Sequence, residues 1–252
     1  MRRESDLRTF LIALVLAVIC SFFVAGANVL LKPRQDMNKE LERKKNILLA
    51  AGILKSDTDI NKEFGSVETY LVDMKTGKSE KGDAGKYFES IRKLAAAKDA
   101  VHLTKQQDIA VIKSIPAKIP VFILRDGDGK IAKVVMPVYG SGLWSTMYGF
   151  MALNSDLNSV SGITFYEHGE TPGLGGEIDN PLWKAQWVDK KIYGNDGSVA
   201  LSVVKGGAKG ESQVDSLSGA TMTSRGVENT VRFWMGQDGF GKYLNSLKQG
   251  GA

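Results

Sequence analysis

The sequence has a single cysteine, Cys20, and only two histidines, His102 and His168, among its 252 residues. One cysteine cannot form an internal disulfide, and no spacing of Cys or His is typical of a metal site. Cys20 lies in an apolar run, where we expect a buried, small apolar side chain, with a ligand role as the alternative. A serine hydrolase is excluded as well, because Ser218 lacks the G-x-S-x-G setting and a histidine partner.

No cluster of basic residues interleaves with aromatic residues, although the net charge is +5 and 24% of the residues are charged. Lys and Arg are scattered among Asp and Glu, which predicts a mixed, solvated surface and no nucleic-acid partner. The apolar fraction of 43% is that of a globular protein. The length fits one domain of ordinary size with appendages.

Charged residues are absent from Thr9 to Leu31. As a helix, residues 10–31 would span about 33 Å, which matches the hydrocarbon core of a bilayer. We therefore expect a membrane helix over residues 10–31, contacting lipid, behind a cytoplasmic N-terminus of residues 1–9. A cleaved signal peptide is the alternative, because Ala25-Gly26-Ala27 resembles a cleavage site. The apolar run continues through Leu31, which favours an uncleaved anchor.

The orientation of this anchor is not fixed by the positive-inside rule, because basic residues lie on both sides of it. Residues 32–57 predict a helical connector that continues the anchor or bends at Pro33, with Gly52 as a C-cap. Asp57 or Asp59 is expected to begin a further short helix. Residues 58–252 are expected to form one domain.

Strand-like alternation and turn residues in this domain predict an α+β fold with a mainly antiparallel sheet. The clearest signal is a hairpin of Val121–Leu124 and Ile131–Met136 around an Asp-Gly turn. Asn180 and Pro181 predict the start of a helix. Ser224 is expected to cap a last helix, in which Glu228 pairs with Arg232. Further strands are expected at residues 67–73, 149–153, 162–167 and 200–204, and helices or partly ordered connections at residues 84–98 and 105–114.

The segment Asp215-Ser216-Leu217-Ser218-Gly219-Ala220-Thr221 is the strongest functional signal. Its threonine lies among small residues just before a helix, so a phosphate on that hydroxyl would face backbone N–H groups and the positive end of the helix dipole. The D-x-x-S-G-A-T pattern resembles the site at which flavin transferases attach FMN to threonine through a phosphoester. Thr223, two residues on, is a second candidate. The residues alone leave a capped turn open as the alternative.

A glycine-rich loop after a predicted strand, Tyr166 to Gly176, is a candidate contact for the flavin ring. We expect Glu170 and Thr171 to hydrogen-bond the edge of the ring and Leu174 to pack on its face. Glycines such as Gly175 would let the backbone approach a flat ligand. A purely structural turn is the alternative.

Two further candidates lie in short glycine-rich segments. Leu143 and Trp144 follow Gly140-Ser141-Gly142, and the indole is expected to stack near the flavin. Lys205 precedes Gly206-Gly207 and is expected to neutralise the FMN phosphate or a reduced flavin. The alternative for Trp144 is an aromatic residue of the core or its rim, and the alternative for Lys205 is an ordinary surface lysine.

The order of these motifs is similar to that in the C subunit of the Na+-translocating NADH:quinone reductase. The resemblance rests on the N-terminal anchor and on the segments GLWSTMYGF, EHGETPGLGGEI, PLWKAQWV, VVKGGA and DSLSGATMTSRGVENT. The G subunit of the Rnf electron-transport complex shares the anchor and the acceptor motif. A membrane-anchored scaffold without redox function is the other alternative.

The resemblance implies an FMN-binding domain on the periplasmic face of the bacterial inner membrane, with FMN attached to Thr221 by a flavin transferase. It implies a six-subunit membrane complex, in which an iron–sulfur centre supplies an electron and the covalent FMN of the B subunit receives it. NADH oxidation, quinone reduction and Na+ export then take place on other subunits. The chain would be an electron relay rather than a complete catalyst.

Overall fold

The fold is described from a computed structural model that covers residues 6–54 and 59–250. Asp57, Thr58 and the N-terminal Arg2 and Arg3 lie outside the described residues. The chain divides into two compact units, residues 1–43 and 44–252.

The first helix, α1, runs from Asp6 to Ala50 with Pro33 inside it. It is the one helix among residues 6–54 and 59–250 that is long and apolar enough to cross a membrane. Its end is a Schellman motif: the N–H of Ile53 donates to Leu48 O at 3.1 Å and that of Gly52 donates to Leu49 O at 2.9 Å. Gly52 has φ +68°, which confirms it as the C-cap residue that the sequence predicts.

The second unit is an α+β domain whose main sheet is antiparallel throughout, as predicted. Asp59 accepts hydrogen bonds from the first turn of the short helix α2 and so confirms one of the two predicted caps. The elements after α1 are α2 (Ile60–Phe64), β1 (Glu68–Asp73), β2 (Ser79–Lys81), α3 (Gly85–Ala95), β3 (Val101–His102), β4 (Ser114–Ile115), β5 (Lys118–Arg125), β6 (Ile131–Ser141), β7 (Thr146–Asn154), β8 (Val160–Glu167), a 3-10 helix (Gly175–Asp179), α4 (Pro181–Ala185), β9 (Ser202–Val204), β10 (Gln213–Asp215), α5 (Thr221–Met235) and α6 (Gly241–Lys248).

Six strands form the main sheet in the order β2-β1-β5-β6-β7-β8. The predicted hairpin is confirmed as β5 and β6, with Phe122 opposite Val135. Alternation along the strands gives the sheet two apolar faces. On β6, Val134 and Met136 belong to the larger core and Val135 to the smaller one.

Helix α5 covers the larger core with the stripe that the sequence predicts, Val227, Val231 and Trp234, all fully buried. The indole N–H of Trp234 donates to Tyr139 O at 2.7 Å and so fixes the helix against β6. Glu228 and Arg232 pair across one turn at 3.6 Å, also as predicted. The sheet therefore holds α5, and with it the start of that helix, in a defined position.

The last turns of α1 cover the opposite face of the sheet. Ile47, Ala50 and Ala51 are buried in the smaller core beside Phe122 and Phe150. A Cβ on Gly162 of β8 would lie 2.6 Å from Ala50 O, so only glycine fits at this crossing. The end of α1 is therefore part of the folded domain.

Of the two alternatives predicted for residues 105–114, the structure has the connection and not the helix: the Asp108 carboxylate accepts from Ile112 N at 2.7 Å and Lys113 N at 2.9 Å, which holds a turn in place. Three expectations need correction. Cys20 is exposed, whereas the sequence predicts a buried side chain. Ser224 is not the cap of α5, since the helix already begins at Thr221. Nor is α5 the last helix, because α6 follows it.

Candidate functional site

The first residue of α5 is Thr221, and its side chain is exposed. The residue before it, Ala220, provides no side-chain cap for the helix. The preceding turn is fixed from behind, because Ser224 Oγ accepts the N–H of Leu217 at 2.9 Å, and Gly219 has φ +72°. With an alanine at the cap position, the N–H groups of the first turn favour an anion at this end of the helix.

The other hydroxyls of this first turn are inaccessible. Thr223 is 1% exposed, and its hydroxyl donates to Glu170 Oε2 at 2.5 Å. Ser224 is also buried and is used by the turn before the helix. Ser218 is exposed, but it lies in that turn rather than in the helix. Thr221 is thus the surface hydroxyl of the helix start.

Glu170 connects the glycine-rich loop to two other segments of the site. It is 5% exposed. Its carboxylate accepts the backbone N–H groups of Leu143, Trp144 and Ser145 at 3.1, 2.9 and 3.3 Å, besides the hydroxyl of Thr223. Both carboxylate oxygens therefore accept hydrogen bonds from the protein. The sequence predicts that the same carboxylate hydrogen-bonds the edge of the flavin ring.

Hydrogen bonding keeps this carboxylate ionised. Burial opposes the charge, but the hydrogen bonds from Thr223 and from the backbone of residues 143–145 outweigh it. The pKa of Glu170 is therefore lowered from its usual value. A buried negative charge lies between the Leu143–Ser145 loop and the first turn of α5.

Two glycines leave room for this carboxylate. A Cβ on Gly142 would lie 2.5 Å from Glu170 Oε1. A Cβ on Gly175 would lie 2.9 Å from Glu170 Oε2 and 2.5 Å from the hydroxyl of Thr223. The glycines of the two loops are required by the packing around Glu170, which composition alone does not reveal.

Four large apolar side chains of these segments remain between 45% and 70% exposed: Leu143, Trp144, Leu174 and Met222. Hydrogen bonds to Glu170 hold the loop of Leu143 and Trp144 beside α5. Leu174 lies against Gly219, where an added Cβ would be 3.1 Å from its Cδ2. Met222 follows Thr221 directly, and the sequence pattern does not single it out because it lies outside the helical stripe. These exposed groups offer apolar surface to a flat ligand.

The remaining candidates lie around Asp215. Its Oδ1 accepts the N–H groups of Gly207 and Ala208 at 2.8 and 2.6 Å, so the carboxylate shapes the loop that Lys205 begins. Lys205 is exposed. The indole N–H of Trp183 donates to Asp215 O at 2.8 Å and thereby fixes the strand before the acceptor turn. No signal in the sequence points to this role of Trp183.

His168 and Thr171 shape the glycine-rich loop. His168 Nε2 lies 2.8 Å from Asp179 Oδ2, and its Nδ1 accepts the N–H of Glu170 at 3.2 Å. Thr171 is exposed, and its carbonyl accepts the N–H groups of Leu174 and Gly176. Within residues 6–54 and 59–250, no group of three or more His, Cys, Asp or Glu residues is placed to hold a metal ion.

Residues 142–236 match the family model described as an FMN-binding domain. This range contains every candidate site residue named above.

The chain is also similar to proteins named as the C subunit of the Na(+)-translocating NADH-quinone reductase. The protein of Neisseria meningitidis serogroup A is 44% identical, with 99% of this chain and 97% of the relative covered. That of Pseudomonas aeruginosa is 43% identical, with 99% of each chain covered. The crystal structure of Shewanella oneidensis NqrC matches with a TM-score of 0.76 and 37% identity, over 82% of this chain and 96% of that one.

Proposed function

This chain belongs to the family of the C subunits of the Na(+)-translocating NADH-quinone reductases, and on that premise we propose that it carries FMN as a phosphoester on Thr221. The observation that carries the proposal is the position of that hydroxyl. It is exposed at a helix start without a side-chain cap, while the neighbouring hydroxyls of the helix are buried. A phosphate there is stabilised by backbone N–H groups and by the helix dipole.

The ring of the attached flavin lies, in this proposal, against the exposed apolar groups of the site. Leu143, Trp144, Leu174 and Met222 supply apolar contact. Thr171 is the exposed polar side chain of the glycine-rich loop and is available to the edge of the ring. Lys205 lies on the loop that Asp215 shapes and supplies a positive charge near the acceptor turn.

FMN, when bound, supplies one- and two-electron chemistry. The residues of this chain hold its phosphate and contact its ring. We propose that the domain lies in the periplasm and receives electrons from an iron–sulfur centre of the complex. It passes them to the FMN of the B subunit during NADH oxidation, quinone reduction and Na+ export. The other membrane subunits are its partners, and a flavin transferase matures it.

Peptide mass spectrometry tests the attachment. The protein is made with and without a flavin transferase, and the tryptic peptide 210–225 is fragmented, because it contains Thr221 together with Ser218 and Thr223. We expect the mass of FMN on Thr221 only, and only with the transferase. An unmodified peptide in the presence of an active transferase contradicts the proposal and favours a scaffold without redox function.

A further inference from the structure

Resting on the function proposed above, we propose that Glu170 is a positioning residue: a buried anion that joins the Leu143–Ser145 loop to α5 and lowers the reduction potential of the flavin without contacting it. The carboxylate binds donors from two segments far apart in sequence. Its four hydrogen bonds leave neither oxygen without a protein donor. Its own backbone N–H is held by His168 at 3.2 Å.

The positioning role follows from how the loops are connected. Three consecutive N–H groups, those of Leu143, Trp144 and Ser145, converge on one side chain. The hydroxyl of Thr223 ties the same side chain to the helix that begins with Thr221. Gly142 and Gly175 have no Cβ where one would collide with the carboxylate. The apolar loop and the acceptor threonine are therefore linked through Glu170.

The effect on potential follows from the charge. Reduction adds electrons to the flavin, and a fixed negative charge nearby makes that step less favourable. At 5% exposure, water screens Glu170 far less than it screens a surface carboxylate. Removal of the charge should therefore raise the midpoint potential.

Glu170→Gln changes the charge and the acceptor count while it keeps the shape of the side chain. One oxygen is replaced by an NH2 group, which only donates, so part of the set of N–H donors loses its acceptor. Thr223→Val removes one hydrogen bond and keeps the charge, and Thr223→Ser keeps both. Glu167→Gln removes an exposed carboxylate three residues away and serves as the matched control for charge.

The first measurement is amide hydrogen exchange in full-length protein made without a transferase, so that it does not depend on flavin. We expect at least tenfold faster exchange at Leu143, Trp144 and Ser145 in Glu170→Gln. Thr223→Val should show a smaller increase, and Thr223→Ser and Glu167→Gln should match the wild type. Unchanged exchange in Glu170→Gln overturns the positioning role.

The second measurement is the midpoint potential of the flavin in protein made with the transferase. In Glu170→Gln we expect a higher midpoint potential. At a fixed potential, the ratio of oxidised to fully reduced flavin should fall tenfold, which corresponds to about 30 mV for a two-electron couple. Glu167→Gln and Thr223→Val should stay near the wild-type potential. An equal potential in Glu170→Gln overturns the electrostatic role. A shift of the same size in Thr223→Val overturns it as well, because that variant keeps the charge and changes only the hydrogen bonding.

The two proposals fail in different ways. A wild-type protein that gains no flavin contradicts the attachment at Thr221, and the exchange measurement then decides the positioning role alone. A Glu170→Gln variant that exchanges faster and is poorly flavinylated supports that role, because the loop and the acceptor are then misplaced together.

Discussion

Thr221 and Thr223 begin the same helix two residues apart, yet one hydroxyl is exposed and the other lies buried 2.5 Å from the Glu170 carboxylate. A modifying enzyme that reaches this turn from solvent therefore meets only the first of them. On the function proposed above, burial makes the choice between the two threonines in the sequence A-T-M-T.

Thr221→Ala should abolish the flavin fluorescence of the denatured protein band while the fold is kept. An exposed hydroxyl contributes little to stability, so we expect a change of less than about 0.5 kcal/mol in the free energy of unfolding. Thr223→Val is the matched control: it should keep covalent flavin. Fluorescence that persists in Thr221→Ala and disappears in Thr223→Val would move the attachment to the buried threonine.

Trp144→Ala should alter the absorption spectrum and the midpoint potential of the bound flavin, because the proposal places the indole against the ring. The side chain is 70% exposed, so the free energy of unfolding of the flavin-free protein should change little. Val188→Ala, at another exposed apolar residue, serves as the control. An unchanged spectrum and midpoint potential in Trp144→Ala would show that the indole does not contact the flavin ring.

Gly162→Ala should destabilise the domain by about 1–3 kcal/mol, because the new methyl group overlaps the carbonyl of Ala50. Gly127→Ala is the matched control, since a Cβ there meets nothing within 4 Å. Urea unfolding followed by tryptophan fluorescence measures both. Equal midpoints for the two variants would show that the end of α1 does not pack on β8 at this point.

Acid should weaken the domain in part through Glu170. The folded-state pKa of this carboxyl is lowered, so its contribution to stability is complete above its unfolded pKa and is lost as the pH falls through the folded value. From about pH 5 downward, the wild type should lose more free energy of unfolding than Glu170→Gln. The free energy of unfolding is measured against pH for both proteins. Parallel curves would show that the fold does not stabilise the ionised form of Glu170.

Local signals in the sequence predicted much of the fold. The Asp-Gly turn indicated the β5–β6 hairpin, the Asn180-Pro181 pair indicated the start of α4, and the stripe from Val227 indicated the buried face of α5. Each of these depends on residues within a few positions of one another. The N-terminal apolar run and the five motifs between Gly142 and Thr230 likewise predicted the family, since several long motifs occur in the same order.

What the sequence did not predict depends on particular hydrogen bonds of single side chains. The sequence left a helix and a partly ordered connection open for residues 105–114, and the connection forms because the side chain of Asp108 hydrogen-bonds its own loop. Ser224 is of a residue type that often caps helices, but the helix begins a turn earlier, at Thr221, and the hydroxyl of Ser224 accepts the N–H of Leu217. The role of Glu170 depends on donors 25 to 53 residues away, which no local pattern contains.

The packing of Ile47, Ala50 and Ala51 on the sheet determines where the apolar N-terminal segment can be removed. A cut after Ala51 would uncover Phe122 and Phe150, and an apolar patch of this kind promotes aggregation. A cut at Arg43 keeps these residues covered, because the second unit begins at Lys44. The last two turns of α1 thus belong to the folded domain, and a version of the domain without the apolar segment must include them.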